Sequence, residues 1–262
     1  MDRTLEMLRR SAKNRAGWLG LAGSVALCGT LLWARSAFAA DPPAPEEYRT
    51  LFDPDTWLGQ VLSPRILVWI VAQLHLMFAA FVLAVPMFAC LIELIGWLTK
   101  DQESARRYDK LAHEFTRLLA TAFSITAIFG ALLTFLLIGL YPKLMGFLVN
   151  VFGPSMYLYA LIFFLESFSL YLYYYGWDRI SKGKHLLLGL SLNTWGIVLL
   201  FITNAWVSFS MSPRGLDAHG AVVNRWAAFH NFLWNPLNIH RLIANLCLAG
   251  SVVGAYAAFK FL

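Results

Sequence analysis

Five long apolar runs separated by short polar connectors constrain this chain more than any other feature. They lie at about 66–98, 115–140, 156–177, 186–210 and 239–260. At a rise of about 1.5 Å per residue, each is long enough to cross a hydrocarbon core of about 30 Å. Inside lipid every backbone N–H and C=O needs an internal partner, so such runs fold as helices. The pattern predicts an all-α membrane protein, a bundle of five transmembrane helices with the lipid bilayer as its solvent. Composition agrees, since 59% of residues are hydrophobic and only 14% are charged. In such a chain a net charge of +6 reads as loop charge at the cytoplasmic surface and not as a nucleic-acid footprint.

The segment before the first run has the layout of an export signal. Residues 1–15 are basic, 17–33 are apolar, and Ala37-Phe38-Ala39 gives an A-x-A site. Residues 1–39 are therefore expected to be a signal peptide or an extra signal-anchor helix, since 17 apolar residues just span a bilayer. Residues 40–65 read as a Pro-rich exported linker, in which DPDTWLGQVL forms a short interfacial helix with Trp57 at headgroup level. Residues 66–262 form the bundle.

Orientation follows from the connectors. Lys and Arg number five in 1–16, four in 99–114 and three in 178–185, against two in 41–65, one in 141–155 and three in 211–241. Twelve against six places 1–16, 99–114 and 178–185 in the cytoplasm, and the chain ends there too. A bacterial cytoplasmic membrane is the expected location. The exported loop 211–238 is rich in Trp and Phe and is expected to hold an interfacial helix, Ala221–Trp234.

Within the runs, ionisable side chains are the functional candidates. His75 lies ten residues past Arg65, about 15 Å along the first helix. A neutral imidazole there ligates haem iron or makes an interhelical hydrogen bond. Glu166 stands among Phe163, Phe164, Leu165 and Phe168, where a carboxyl is costly. Counted twelve residues past Pro154, it is expected at the depth of His75, either moving protons or making a helix–helix hydrogen bond. His240 stands at the exported start of the last run, at a depth that suits a haem near that surface. His113 and His185 flank runs on the cytoplasmic side, as interfacial histidines commonly do. Asn193 and Asn204 are expected as buried interhelical donors. Tyr171, Tyr173, Tyr174 and Tyr175 read as an aromatic belt.

Other chemistries lack their residues. Cys28, Cys90 and Cys247 all lie in apolar runs, and no CxxC or CxxCH is present, so neither a disulfide framework nor covalent c-type haem is expected. No HExxH, Ser/His/Asp set or glycine-rich phosphate loop occurs. A transporter or proton channel is the rival class, but neither inverted repeats nor broken helices are evident.

The stretch FFLESFSLYLYYYGWDRISKGKH resembles the third helix and following loop of cytochrome bd quinol oxidase subunit I. SPRILVWIVAQLHLMF resembles that family's first helix, TNAWVSFSMSP the end of its fourth, and NPLNIHRLIANLCLAGSVVGAY the entry to its fifth. The resemblance covers roughly residues 63–258. It implies that His75 is the axial ligand of an active-site haem, that Arg65 pairs with a propionate, and that Glu166 is the second of two third-helix acids. The first acid falls at Leu158, and the fifth-helix haem ligand at Ala244 or Asn245, with His240 one turn earlier as a substitute. The matching region ends after the fifth family helix, so the family's quinol-binding loop and later methionine ligand are not among the matched residues.

Three functional expectations follow from the resemblance. One is a haem b subunit of a respiratory complex, passing electrons between partner subunits, with a c-type cytochrome as an exported partner. A second is one piece of a split bd-type oxygen reductase carrying haem d. The third is a haem-free anchoring subunit.

Overall fold

The computed structural model describes residues 48–261. The export-type segment 1–39, with Cys28, lies outside the described residues. Among the described residues there is no strand, and seven helices carry the fold. They are α1 (Trp57–Val61), α2 (Pro64–Leu98), α3 (Gln102–Leu140), α4 (Pro142–Tyr175), α5 (Lys182–Met211), α6 (Arg225–Phe229) and α7 (Trp234–Phe261). Five of these, α2 to α5 and the helix that ends the bundle, are long and apolar enough to cross a membrane. The chain is a multi-pass membrane protein.

Each boundary has a local cause. Pro64 and Pro142 open α2 and α4 in the first turn, where a missing N–H costs nothing. Asp101 caps α3 by accepting from the Ser104 amide at 2.9 Å. Thr56 caps α1 by accepting from the Gly59 amide at 3.1 Å. Trp57, at 75% exposure, is free to sit at a headgroup surface.

Connectors of a few residues force α2, α3, α4 and α5 to alternate in direction. Gly96 lets the first hairpin close, since a Cβ there would meet the Tyr108 Cβ at 2.9 Å. The main core lies between α2, α3, α4 and α5, around Leu119, Phe123, Phe163, Leu170, Tyr173 and Leu192. A second cluster closes the opposite end, where α6 lays Ala228 against Val151, Phe152 and Phe209. The last helix packs against α2 and α5. A 2.5 Å hydrogen bond from the Tyr256 hydroxyl to Glu114 ties it to α3.

Two expectations change. The interfacial helix at Ala221–Trp234 is only Arg225–Phe229. Asn224 caps its start, and Asn231 breaks the run by turning its side chain onto the Ala205 carbonyl and Ser208 hydroxyl. The third span begins at Pro142 and not near 156. Pro154 lies inside α4, where the helix continues through it.

Candidate functional site

His75 projects from α2 onto α3. Its Nδ1 stands 3.1 Å from the Thr126 carbonyl oxygen. A carbonyl only accepts, so Nδ1 carries the hydrogen and Nε2 keeps its lone pair. Gly130, one turn further on α3, makes the close approach possible, since a Cβ there would stand 2.9 Å from His75 Cε1. The ring is thus aimed and its tautomer set by backbone alone. That arrangement is the usual support of a metal-ligating imidazole.

The other members of this half come from α5 and α7. Arg241 lies within electrostatic reach of the His75 ring. Its Nη1 donates to Asn204 Oδ1 at 2.8 Å, and Asn204 Nδ2 donates to Asn238 Oδ1 at 2.8 Å. Asn204 is fully buried, and Asn238 Nδ2 is a buried donor with no partner among the described residues. His240, next in sequence to Arg241, is exposed on the outer side of its helix. Arg65 is exposed at the mouth of α2, about 80° round the helix from His75. The bundle therefore brings Arg241 to His75 and leaves Arg65 and His240 on its surface. Leu158 is exposed, Ala244 is exposed, and Asn245 is buried at 8%.

Glu166 is buried, as expected, but deeper than His75. Its Oε1 faces Gly196 of α5, where a Cβ would stand at 3.0 Å and would also meet Leu83 Cδ1 at 3.3 Å. Leu83 lies eight residues past His75, so Glu166 sits about 12 Å further along the bundle. Counting depth from Pro154 fails because α4 starts twelve residues earlier and passes through that proline.

A third polar group lies at the end that carries loops 99–114 and 178–185. Glu93, at 1% exposure, takes a 2.7 Å hydrogen bond from the Tyr173 hydroxyl and stands 2.7 Å from His185 Nδ1. His185 Nε2 stands 2.7 Å from the Tyr173 carbonyl, which fixes the hydrogen on Nε2. Lys182 reaches Glu93 at 3.4 Å and also pairs with Asp109, which accepts from Trp177 Nε1 at 3.2 Å. The turn after α4 presents Trp177 this way by placing Asp178 at φ 62°, a left-handed conformation that Asp tolerates. This group is not expected from the sequence, in which His185 reads as interfacial and Tyr173 as part of a belt, whereas both are buried. Glu93, the other ionisable residue in the first apolar run, is the signal that points to it.

Comparison with known proteins identifies the family. The family model for cytochrome bd terminal oxidase subunit I matches residues 63–262. A Bacillus subtilis (strain 168) protein assigned as subunit I of a cytochrome bd menaquinol oxidase is 24% identical over 197 residues, covering 72% of this chain and 42% of that protein. The bd oxidase structure from Geobacillus thermodenitrificans superposes with a TM-score of 0.69 at 23% identity, covering 76% of this chain and 46% of that one. The chain spans less than half the length of either relative. The family model spans most of the chain, and the chain belongs to the cytochrome bd terminal oxidase subunit I family.

Proposed function

We propose that this chain is a membrane subunit of a respiratory electron-transfer complex and holds a haem b in the half of the bundle around His75. The observation that carries the reading is the one-way hydrogen bond from His75 Nδ1 to the Thr126 carbonyl. It leaves Nε2 as a free base in a helix interface, which fits an axial iron ligand. When bound, the haem supplies a one-electron redox couple. Arg241, held by Asn204, supplies a positive charge within electrostatic reach of the ring for an anionic propionate, with Arg65 at the exported surface. His240 is a second, exposed imidazole at the same surface. Glu166 holds a proton at its carboxyl in a pocket closed by Gly196 and Leu83.

The excess of Lys and Arg supports an orientation in a bacterial cytoplasmic membrane with loops 99–114 and 178–185 and the C-terminus on the cytoplasmic side and the His75 half toward the exported face. Its partners are other membrane subunits of the complex. Nothing in the described residues selects a c-type cytochrome among them.

A haem-free anchoring subunit is the second reading. Ala244 and Asn245, at the fifth-helix ligand position of the family, are not haem ligands. The reduced-minus-oxidised spectrum of the native complex separates the readings. A b-type band that His75→Ala abolishes or shifts supports the proposal. A red-shifted chlorin band indicates haem d and a split oxygen reductase. A spectrum with no haem band leaves the anchoring role.

A further inference from the structure

At the loop end of the bundle, about 33 Å along α2 from His75, the apolar run stops and charge begins. Trp97 stands in the last turn of α2, and Lys100 lies in the connector to α3. Tryptophan at such a boundary marks headgroup level. A cavity of about 540 Å³ opens beside it, within the size range of small-ligand sites. One side is a single stripe of α3, on which Arg106, Asp109, Lys110 and His113 recur at helical spacing. The turn after α4 supplies Trp177 and Asp178, and α5 opens with Lys182. The His113 and Trp177 rings stack with centroids 4.7 Å apart, so this part of the wall is flat and aromatic.

Charge in the cavity is unbalanced. Four basic side chains line it against two aspartates. Lys182 is committed to Asp109 and Glu93, and it lies 5.0 Å from the Trp177 ring centroid. Lys100, Arg106 and Lys110 are exposed and form no ion pair among the described residues. Arg107, beside Arg106, does pair with Glu103 and does not line the cavity. Phosphate oxygens take charge-assisted hydrogen bonds from Lys and Arg, and the guanidinium fork matches them in pairs.

An apolar strip continues from the cavity toward the middle of the bundle. A Cβ on Gly183 would stand 3.9 Å from Trp97 Cη2, so the indole lies against the first turn of α5. Leu94 lies one turn before Trp97, and Leu187 and Leu190 lie one and two turns after Gly183. All three are exposed. A bare phosphate ion would use the cations alone, whereas a phospholipid uses the cations and the strip together. Basic pockets between spans at a membrane surface bind anionic headgroups in this way.

We infer that the cavity binds the phosphate headgroup of an anionic phospholipid through Lys100, Arg106 and Lys110, with Trp97 at the glycerol level and the acyl chains along Leu94, Leu187 and Leu190. The site does not rest on the haem reading of His75.

The test places the full chain in phosphatidylcholine vesicles and titrates in phosphatidylglycerol with brominated acyl chains, which quench nearby indoles. The Trp97 signal is the difference between the parent and Trp97→Phe. Brominated phosphatidylglycerol should reach half-quenching of Trp97 at a mole fraction at least about tenfold lower than brominated phosphatidylcholine. Arg106→Gln with Lys110→Gln should abolish that preference. Arg107→Gln with Lys184→Gln, which removes the same charge outside the cavity, should leave it in place. Circular dichroism should show parental helix content in every variant. Equal quenching by the two lipids in the parent, or equal loss of preference in both double variants, overturns the site. A Trp97 signal that answers inorganic phosphate but shows no lipid preference assigns the cavity to a soluble anion and overturns the lipid. Loss of quenching by both lipids in the native complex, which puts a partner subunit over Trp97, also overturns it.

Discussion

Removing the Glu93 carboxyl tests whether the inner end of the bundle is held by a connected polar group or by apolar packing alone. In Glu93→Ala the Tyr173 hydroxyl and His185 Nδ1 both lose their 2.7 Å partner while remaining buried. Each stranded polar group costs about 1–3 kcal/mol. Lys182 adds little, because its side chain is 36% exposed and keeps Asp109. The expected destabilisation is about 2–6 kcal/mol, before any contribution from the cavity left behind. Glu93→Gln should behave differently. Its carbonyl still accepts from Tyr173, and its NH₂ donates to the Nδ1 lone pair of a neutral His185, so a loss of about 1 kcal/mol is expected. Reversible unfolding in mixed micelles with increasing dodecyl sulfate, followed by circular dichroism, gives both values. An Ala variant that loses less than about 1 kcal/mol would refute the connected-group account. A Gln variant as damaged as Ala would show that the pair is a fixed imidazolium–carboxylate couple.

Other expectations follow from single contacts. Gly130→Ala puts a Cβ within 2.9 Å of the His75 ring and should displace it from the Thr126 carbonyl, shifting or weakening the b-type optical band without loss of helix content. Gly196→Ala crowds the Glu166 carboxyl at 3.0 Å and should move its infrared carboxyl band, while Gly153→Ala, whose Cβ would meet nothing within 4 Å, should not. Asn204→Leu removes the acceptor of Arg241 and the donor to Asn238 and should cost about 1–3 kcal/mol in the same unfolding assay.

The five spans were readable from the sequence because hydrophobic run length is dictated by the bilayer and needs no knowledge of packing. The helix starts were less so. Pro154 reads as a boundary, yet α4 runs through it, because neighbouring packing outweighs a local breaker. His75 stood out for a physical reason, being ionisable in an apolar run. What the ring would touch did not, because Thr126 and Gly130 lie more than fifty residues away and neither carries a conspicuous side chain. His240 is legible as a candidate by its depth, but that it faces outward while Arg241 faces the bundle depends on helix rotation, which only contacts with α5 determine. The Glu93–Tyr173–His185 group is not legible in the sequence for a related reason. Its members belong to three separate helices, and each alone resembles an ordinary residue at a membrane surface.

An electron-density map of the native complex with its partner subunits decides whether His75 ligates a haem, as proposed. The expected map holds a haem whose iron is bonded to His75 Nε2, with His75 Nδ1 still on the Thr126 carbonyl and Arg241 turned toward a propionate. A map in which the interface around His75, Thr126 and Gly130 is filled by side chains alone, or in which the iron takes a different ligand, would contradict it.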